Sequence, residues 1–274
     1  YLRGEIRERD LARAQGEAAR EILAEQARTG LDEVSDGQVR WDDPVSHLMG
    51  KFGGVTPGCL LRYFDTGTYY RQPQVTGTLE EKGSLLAEEV KLARAISVKP
   101  VIARMTGPLT LSRLSVIKGG PYAGPDGLFS ALVPLLADEV ERLAAAGAAG
   151  IVLEEPCLLR EPAALPLLAD ALEVLAARRG AARLWLFPSF GDAAPLYGKL
   201  QGLAVDGLML DFTSSATLAE EAASLGSRLG LGLGLADARS VRMESAATVA
   251  RLAAGLLKRA RAPFSVLVPS NGLE

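Results

Sequence analysis

From residue 100 onward the chain repeats one unit: a short apolar run, polar residues at its end, then a helical pattern. Gly150-Ile-Val-Leu-Glu-Glu-Pro156 is the clearest instance, three apolar residues running into two carboxylates with a proline behind them. A continuous apolar run suits a strand covered on both faces, as in a parallel sheet with helices outside. The unit recurs at 100–108, 184–187, 207–211, 230–237 and 264–271, with helices expected at 128–146, 163–178, up to 203, 218–229 and 246–259. Alternation of this kind demands right-handed crossovers and a parallel sheet.

The first hundred residues are less regular. Residues 1–29 form an amphipathic helical pattern with Leu11, Ala14, Ala18, Ile22 and Leu23 on one side, and Gly30 stands where glycine ends helices. A short strand is expected at 31–37. The stretch 38–79 holds Trp41, His47, Cys59, Tyr63, Phe64, Tyr69 and Tyr70 among several Gly and Pro. Its aromatic density argues against disorder, so it reads as a long, irregular but ordered excursion over one end of the fold. A helix is expected at 80–96. These assignments give seven strands, whereas a closed (β/α)8 TIM barrel needs eight. The expectation is a single barrel domain over 1–274, with a first strand before Tyr1 and a last helix after Glu274; an open doubly wound sheet is the alternative. Gly230-x-Gly-x-Gly234 lies inside a strand and is no dinucleotide fingerprint. Glycines there suit close approach by a helix or a ligand.

In open and closed α/β sheets the C-terminal strand ends bind ligands. Here those ends collect Asp36, Gln38, Thr106, Glu154, Glu155, Ser189, Asp192, Asp211, Asp237, Arg239, Ser270 and Asn271. Neighbouring strand residues point to opposite sides, so one of Glu154 and Glu155 faces the mouth and the other the surrounding shell. The set describes a mixed-charge mouth for a small zwitterionic or acidic molecule.

Several classes are excluded. A net charge of -3 without a basic block gives no footprint for nucleic acid. Two cysteines, Cys59 and Cys157, make no disulfide framework. No apolar run spans a bilayer and no signal peptide opens the sequence, so a cytoplasmic protein is expected. The single His, His47, and the lack of Gly-x-Ser-x-Gly argue against a Ser-His-Asp triad, and His47 reads as structural. The last four strands offer neither imidazole nor thiolate, so no metal ligands and no metal cofactor are expected.

These motifs taken in order resemble the cobalamin-independent methionine synthase family, which transfers a methyl group from methyltetrahydrofolate to homocysteine. Thr-Gly-Pro-Leu-Thr (106–110) is similar to the family's Thr-Gly-Pro-Val-Thr, and Ile-Val-Leu-Glu-Glu-Pro (151–156) to its Ile-Gln-Ile-Asp-Glu-Pro. Tyr-Phe-Asp-Thr (63–66) with Tyr69-Tyr70, Phe-Gly-Asp (190–192), 205–211, Val-Pro-Ser (268–270) and Tyr1-x-x-Gly4 also fit. The resemblance implies a (β/α)8 barrel and is better to the family's N-terminal, non-catalytic half. Its catalytic half binds zinc through a His-x-Cys pair, an acid and a last Cys. Here the strand at 184–190 has no His or Cys, Asp211 stands at the acid and Asn271 at the last Cys. Asp237-Ala-Arg239-Ser replaces Asp-x-His-Ser, Leu114 replaces a pterin-stacking tryptophan, and Gln38 and Glu154 stand where acids hold the homocysteine amino group. Arginine can stabilise an anion but delivers no proton.

Three functions are compatible with this pattern. The first is a methyltransferase of the family without the zinc site, with methyltetrahydrofolate as a substrate. Arg239 and Asp237 would be catalytic; Gln38, Glu154, Glu155, Ser189, Asp211, Ser270 and Asn271 would bind substrate. The second is a non-catalytic folate- or partner-binding barrel that works with a separate catalytic barrel or as a homodimer. The third is a metal-free decarboxylase-like lyase using Arg40, Arg104 and Arg239.

Overall fold

The computed structural model describes residues 7–64 and 66–272. Helix α1 (Glu8–Arg28) packs its apolar stripe inward through Ala19 and Leu23. It stops because Gly30 takes a left-handed φ of 88°, which lets the Leu31 amide reach back to the Gln26 carbonyl. A short helix α2 (Ser46–Met49) follows, then a long antiparallel hairpin, β1 (Phe52–Arg62) and β2 (Tyr69–Glu81). Helix α3 (Ala87–Ile96) leads into the repeating part: β3 (Ile102–Thr106), α4 (Pro108–Leu114), β4 (Val116–Ile117), α5 (Gly124–Ala145), β5 (Gly150–Glu154), α6 (Cys157–Arg160) and α7 (Leu165–Ala176). It continues with β6 (Arg183–Phe187), α8 (Tyr197–Leu200), β7 (Gly207–Asp211), α9 (Leu218–Leu225), β8 (Gly230–Ala236), α10 (Ala246–Ala260) and β9 (Ser265–Pro269).

Six strands pair in parallel and in chain order, β3-β5-β6-β7-β8-β9. Each neighbour in that order is reached over a helix, as the repeating unit demands. The sheet curls around its own small interior cluster of Val152, Trp185, Phe187 and Met209, flanked by Ile102, Phe264, Val266 and Val268. The alternate residues, such as Ile151, Leu153, Leu184, Leu208 and Leu231, join the main core beneath the helices. A seventh position exists only as a bridge: Val34 pairs in parallel with Val101, its amide bonded to Pro100 and its carbonyl to Ile102. Among the described residues Val34 and β9 do not pair with each other, so the closed eight-stranded ring expected from the sequence is seen as a curled sheet with a seam.

Other sequence expectations are corrected here. The 31–37 strand shrinks to that one bridge. The stretch 38–79, read as irregular, is largely the β1–β2 hairpin, carried with β4 in a second sheet. Its irregular appearance came from Pro57 and two register shifts, which break the strand pattern without ending the pairing. The helix expected from residue 80 starts only at Ala87, because Glu80 and Glu81 still belong to β2. Residues 108–114, expected to be loop, form α4.

The glycines of β8 also have a different reason. Any Cβ on Gly230 would overlap the Phe264 ring, and one on Gly232 the Met209 side chain; Gly207 likewise makes room for Trp185. They admit neither helix nor ligand but the large side chains that fill the curl, the alternation of small and large residues expected inside a closed sheet. No helix among the described residues is long and apolar enough to cross a membrane.

Candidate functional site at the strand ends

The two carboxylates of Gly150–Pro156 part as the strand's alternation requires. Glu155 turns outward into the shell and is fully buried. One oxygen accepts the Leu109 amide at 2.9 Å; the other accepts the Thr110 amide at 2.7 Å and the Thr110 hydroxyl at 2.6 Å. These are amides of the first turn of α4, which have no partner inside the helix. Gly107 is bare because a Cβ there would collide with the Glu155 carboxylate. The Thr-Gly-Pro-Leu-Thr and Glu-Glu-Pro motifs are thus two sides of one contact, a helix N-terminus capped from the next strand. Burial raises the Glu155 carboxyl to about 7 against the lowering pull of Thr110 and the Leu109 amide. Cys157, beside it, is raised to about 12 by burial and the Glu155 charge, which makes it an inert thiol. The expectation that Glu155 binds substrate is therefore corrected: both of its oxygens serve the helix.

Glu154 turns inward and meets Arg104, which projects from β3 on the same side of the sheet. Arg104 Nε donates to Glu154 Oε1 at 2.6 Å, and Nη2 bonds the same oxygen. The guanidinium lies 5.7 Å from the centre of the Phe187 ring, within the range of a cation–π contact. Both side chains line a cleft of about 670 Å³. That volume falls in the range of small-molecule sites, roughly 300–1,000 Å³. Its walls come from the loop after the Val34 bridge (Gln38, Trp41, Asp42, Asp43, Pro44), the hairpin tip (Thr68) and the end of β9 (Pro269, Gly272).

That loop is held rigidly. Glu89 on α3 accepts Trp41 Nε1 at 2.8 Å, lies 2.9 Å from His47 Nε2 and pairs with Lys51 at 2.9 Å. Burial works to raise the Glu89 carboxyl, yet bonds from His47, Lys51 and Trp41 outweigh it and hold it down at about 2. Trp41 also stacks on His47 at 5.1 Å. His47 therefore has the structural role read from the sequence. Asp43 receives the Val45, Ser46 and Arg71 amides and the Ser46 hydroxyl, which fixes the turn into α2. Asp36, raised by burial, accepts the Gln38 amide at 3.1 Å and lies 3.5 Å from Arg40. Gln38 itself has a left-handed φ of 49°, a costly backbone for a residue with a Cβ, and it sits on the cleft.

The other expected site residues lie outside this cleft lining. Asp211 points inward from β7 but is buried, and its two oxygens hold Thr213 and Ser214 in a turn. Arg239 is half exposed, 3.7 Å from Asp211 and 3.9 Å from Asp237. Ser270 accepts the Ala238 amide and the Asn271 side-chain amide, and Ser189 is buried just past β6. Thr106 donates to the Pro44 carbonyl at 2.9 Å. So Gln38, Glu154 and Arg104 line one cleft, and Arg239 lies close to both Asp211 and Asp237. Arg104 was legible in the sequence as a charge inside an apolar strand; the contributions of Trp41, Asp42 and Thr68 carried no such signal.

Zinc, which the family resemblance implies, would need soft donors at the strand ends. Among the described residues those ends carry oxygens and amides, His47 belongs to Glu89, Cys157 is buried behind α4 and Cys59 lies exposed on the hairpin. These donors do not fit a tetrahedral zinc.

Fold and site together define a curled parallel α/β protein with a charged cleft of about 670 Å³ at the C-terminal ends of its strands. Residues 50–260 match the family profile described as the cobalamin-independent synthase, N-terminal domain, and the chain belongs to that family. It is 28% identical over 156 residues to a methionine synthase of Saccharolobus solfataricus, covering 57% of this chain and 46% of that protein. It is 29% identical over 245 residues to the 5-methyltetrahydropteroyltriglutamate–homocysteine methyltransferase of Caulobacter vibrioides, covering 84% of this chain and 31% of that protein. The chain thus spans less than half the length of these curated relatives. Among solved structures it is similar to a B12-independent methionine synthase from a Shewanella species, in complex with selenomethionine, with a TM-score of 0.84, 21% identity and coverage of 98% and 84%. A B12-independent methionine synthase homologue from Listeria monocytogenes superimposes with a TM-score of 0.79 at 16% identity, covering 100% and 85%. Both likenesses concern the fold. Of the sequence motifs behind the resemblance, Tyr1-x-x-Gly4 and Asp65 lie outside the described residues.

Proposed function

We propose that this chain is a single barrel-type domain that binds a small zwitterionic substrate in its cleft. It serves methyl transfer from methyltetrahydrofolate to homocysteine together with a separate catalytic barrel. The observation that carries this reading is the inward Glu154, paired with Arg104 and lining, with Gln38, a cleft of about 670 Å³ at the strand ends. Membership of the N-terminal-domain family supports the partner half of the reading. The seam between Val34 and β9 supports a complete (β/α)8 ring with one further strand. Because the strand-end donors do not suit zinc, thiolate activation is assigned to the partner.

Calorimetric titration with homocysteine and with methyltetrahydrofolate tests the binding half. Saturable heat with at least one is expected, and none with either would sink it. Methionine formation, followed for this chain alone and mixed with a zinc-bearing catalytic barrel, tests the other half. Product only in the mixture is expected; steady turnover by the isolated chain would replace the partner with a self-sufficient methyltransferase. Of the three arginines of the decarboxylase-like reading, Arg104 lines the cleft.

A further inference from the structure

We infer that Arg104 is the receptor for the ligand's carboxylate, and that the Arg104–Glu154 pair opens to take a zwitterion, carboxylate on Arg104 and ammonium on Glu154. The inference rests on the cleft being a substrate site.

Three observations carry it. Arg104 is the one cationic side chain among the described residues lining the cleft, against the acids Asp42, Asp43 and Glu154. Arg239, the anion receptor expected from the sequence, stands with Asp211 and Asp237 outside that lining. Second, the pair is lopsided. Nε and Nη2 of Arg104 converge on Oε1 of Glu154, which leaves Arg104 Nη1 and Glu154 Oε2 without a bond among the described residues. A planar guanidinium with spare donors accepts a second carboxylate in a forked geometry that no lysine reproduces. Third, the side chains are 21% and 11% exposed, so both charges are largely withdrawn from water yet reachable. At such a depth an ion pair is stronger than at a surface, and neither partner tolerates losing the other without replacement.

The charge balance selects the ligand class. Asp43 is already saturated by backbone and hydroxyl donors. A lone carboxylate on the spare donors of Arg104 would share its single positive charge with Glu154 and leave the group net negative, with Asp42 also on the cleft. A ligand that brings its own ammonium repays Glu154 in the same step. The cleft therefore favours molecules carrying both charges on adjacent positions over simple acids or simple amines.

The test compares L-methionine with L-methioninol, whose carboxylate is reduced to an alcohol, by calorimetry on the full chain. The unmodified protein should bind methionine more tightly by about tenfold or more, the scale of a charge-assisted hydrogen bond. In Arg104→Gln methionine should fall to the level of methioninol, while methioninol itself is held or improved, since Glu154 is then free for an ammonium. Parallel loss of both ligands, or retained preference for methionine, would overturn the inference. Should Arg104→Gln fail to fold, the Arg104→Gln/Glu154→Gln double variant removes both charges. It should show no preference between the two ligands, and a surviving preference overturns the inference as well. If the unmodified protein binds methioninol as well as methionine, this inference alone falls. If it binds neither, the substrate-site reading falls with it.

Discussion

At the scale of single residues, Glu155 shows how one carboxylate can look catalytic and be structural. It stands beside Glu154 in a motif shared with enzymes, is fully buried, and has a carboxyl raised to about 7. A perturbed carboxyl in an enzyme-like fold invites a functional reading. Here its hydrogen bonds to α4 account for its position completely. The raised value has a consequence for stability. Burial lifts the folded-state value from an ordinary 4.5 to about 7, so between those values the folded protein holds a proton that the unfolded chain has released. Stability from this group is greatest below pH 4.5, declines as pH rises to about 7 and is level above it, a difference on the order of 3 kcal/mol. Glu89 acts with the opposite sign: held at about 2, it adds stability above pH 4.5 that is lost as pH falls toward 2. Urea unfolding across pH 4 to 8 should therefore show a decline on the neutral side that Glu155→Gln abolishes. A decline of equal size in the variant would assign it to other groups.

At the scale of elements, the inner face of the sheet depends on size matching between strands. Gly207 faces Trp185 across the β6–β7 pair, and Gly230 faces Phe264. Trp185 and Phe264 meet edge to face at 5.5 Å, and both are hemmed in by neighbouring strands. Overpacking a closed interior costs typically about 1–3 kcal/mol. Gly207→Ala should destabilise the protein by about 2 kcal/mol or more in urea titrations, because the atom in the way is an indole ring with no free direction. Gly67→Ala, at the hairpin tip with open space around it, should change stability by less than about 0.5 kcal/mol. Equal effects from both substitutions would show that the interior relaxes around the added methyl. The same size rule explains why the β8 glycines mimic a nucleotide-binding signature: spacing of two is the period of a strand face, not of a phosphate loop.

At the scale of the whole molecule, the distinctive feature is the seam. Residues next to the Val34 bridge (Leu31, Ser35) and the end of β9 (Pro269) line the same cleft, and Leu267 on β9 is 60% exposed. An unpaired strand edge is normally covered or blunted. Among the described residues the backbone of β9 is paired on one side, by β8. Hydrogen exchange should show β9 amides exchanging much faster than those of β5, which is paired on both sides. Protection of β9 comparable to β5 in the isolated chain would mean that another segment already closes the ring. Addition of a binding partner that closes the seam should slow β9 and leave β5 unchanged.

What could be read from the amino-acid order was whatever has a local period. Strands β5, β7 and β8 were placed to within a residue, the parallel order followed from the helix between each pair, and alternation put one of Glu154 and Glu155 on each side of the sheet without saying which. The family resemblance came from short motifs, two of which meet each other in the α4 cap. What only the tertiary structure decided was pairing between distant residues. Nothing near Pro57 announces that β1 and β2 pair across two bulges, since each strand's partner lies beyond the turn. No local pattern tells which of Arg40, Arg104 and Arg239 reaches the cleft, because that depends on which strand ends the curl brings together. A residue's own neighbours set its backbone; the charge it meets across the sheet is set by chain far removed in sequence.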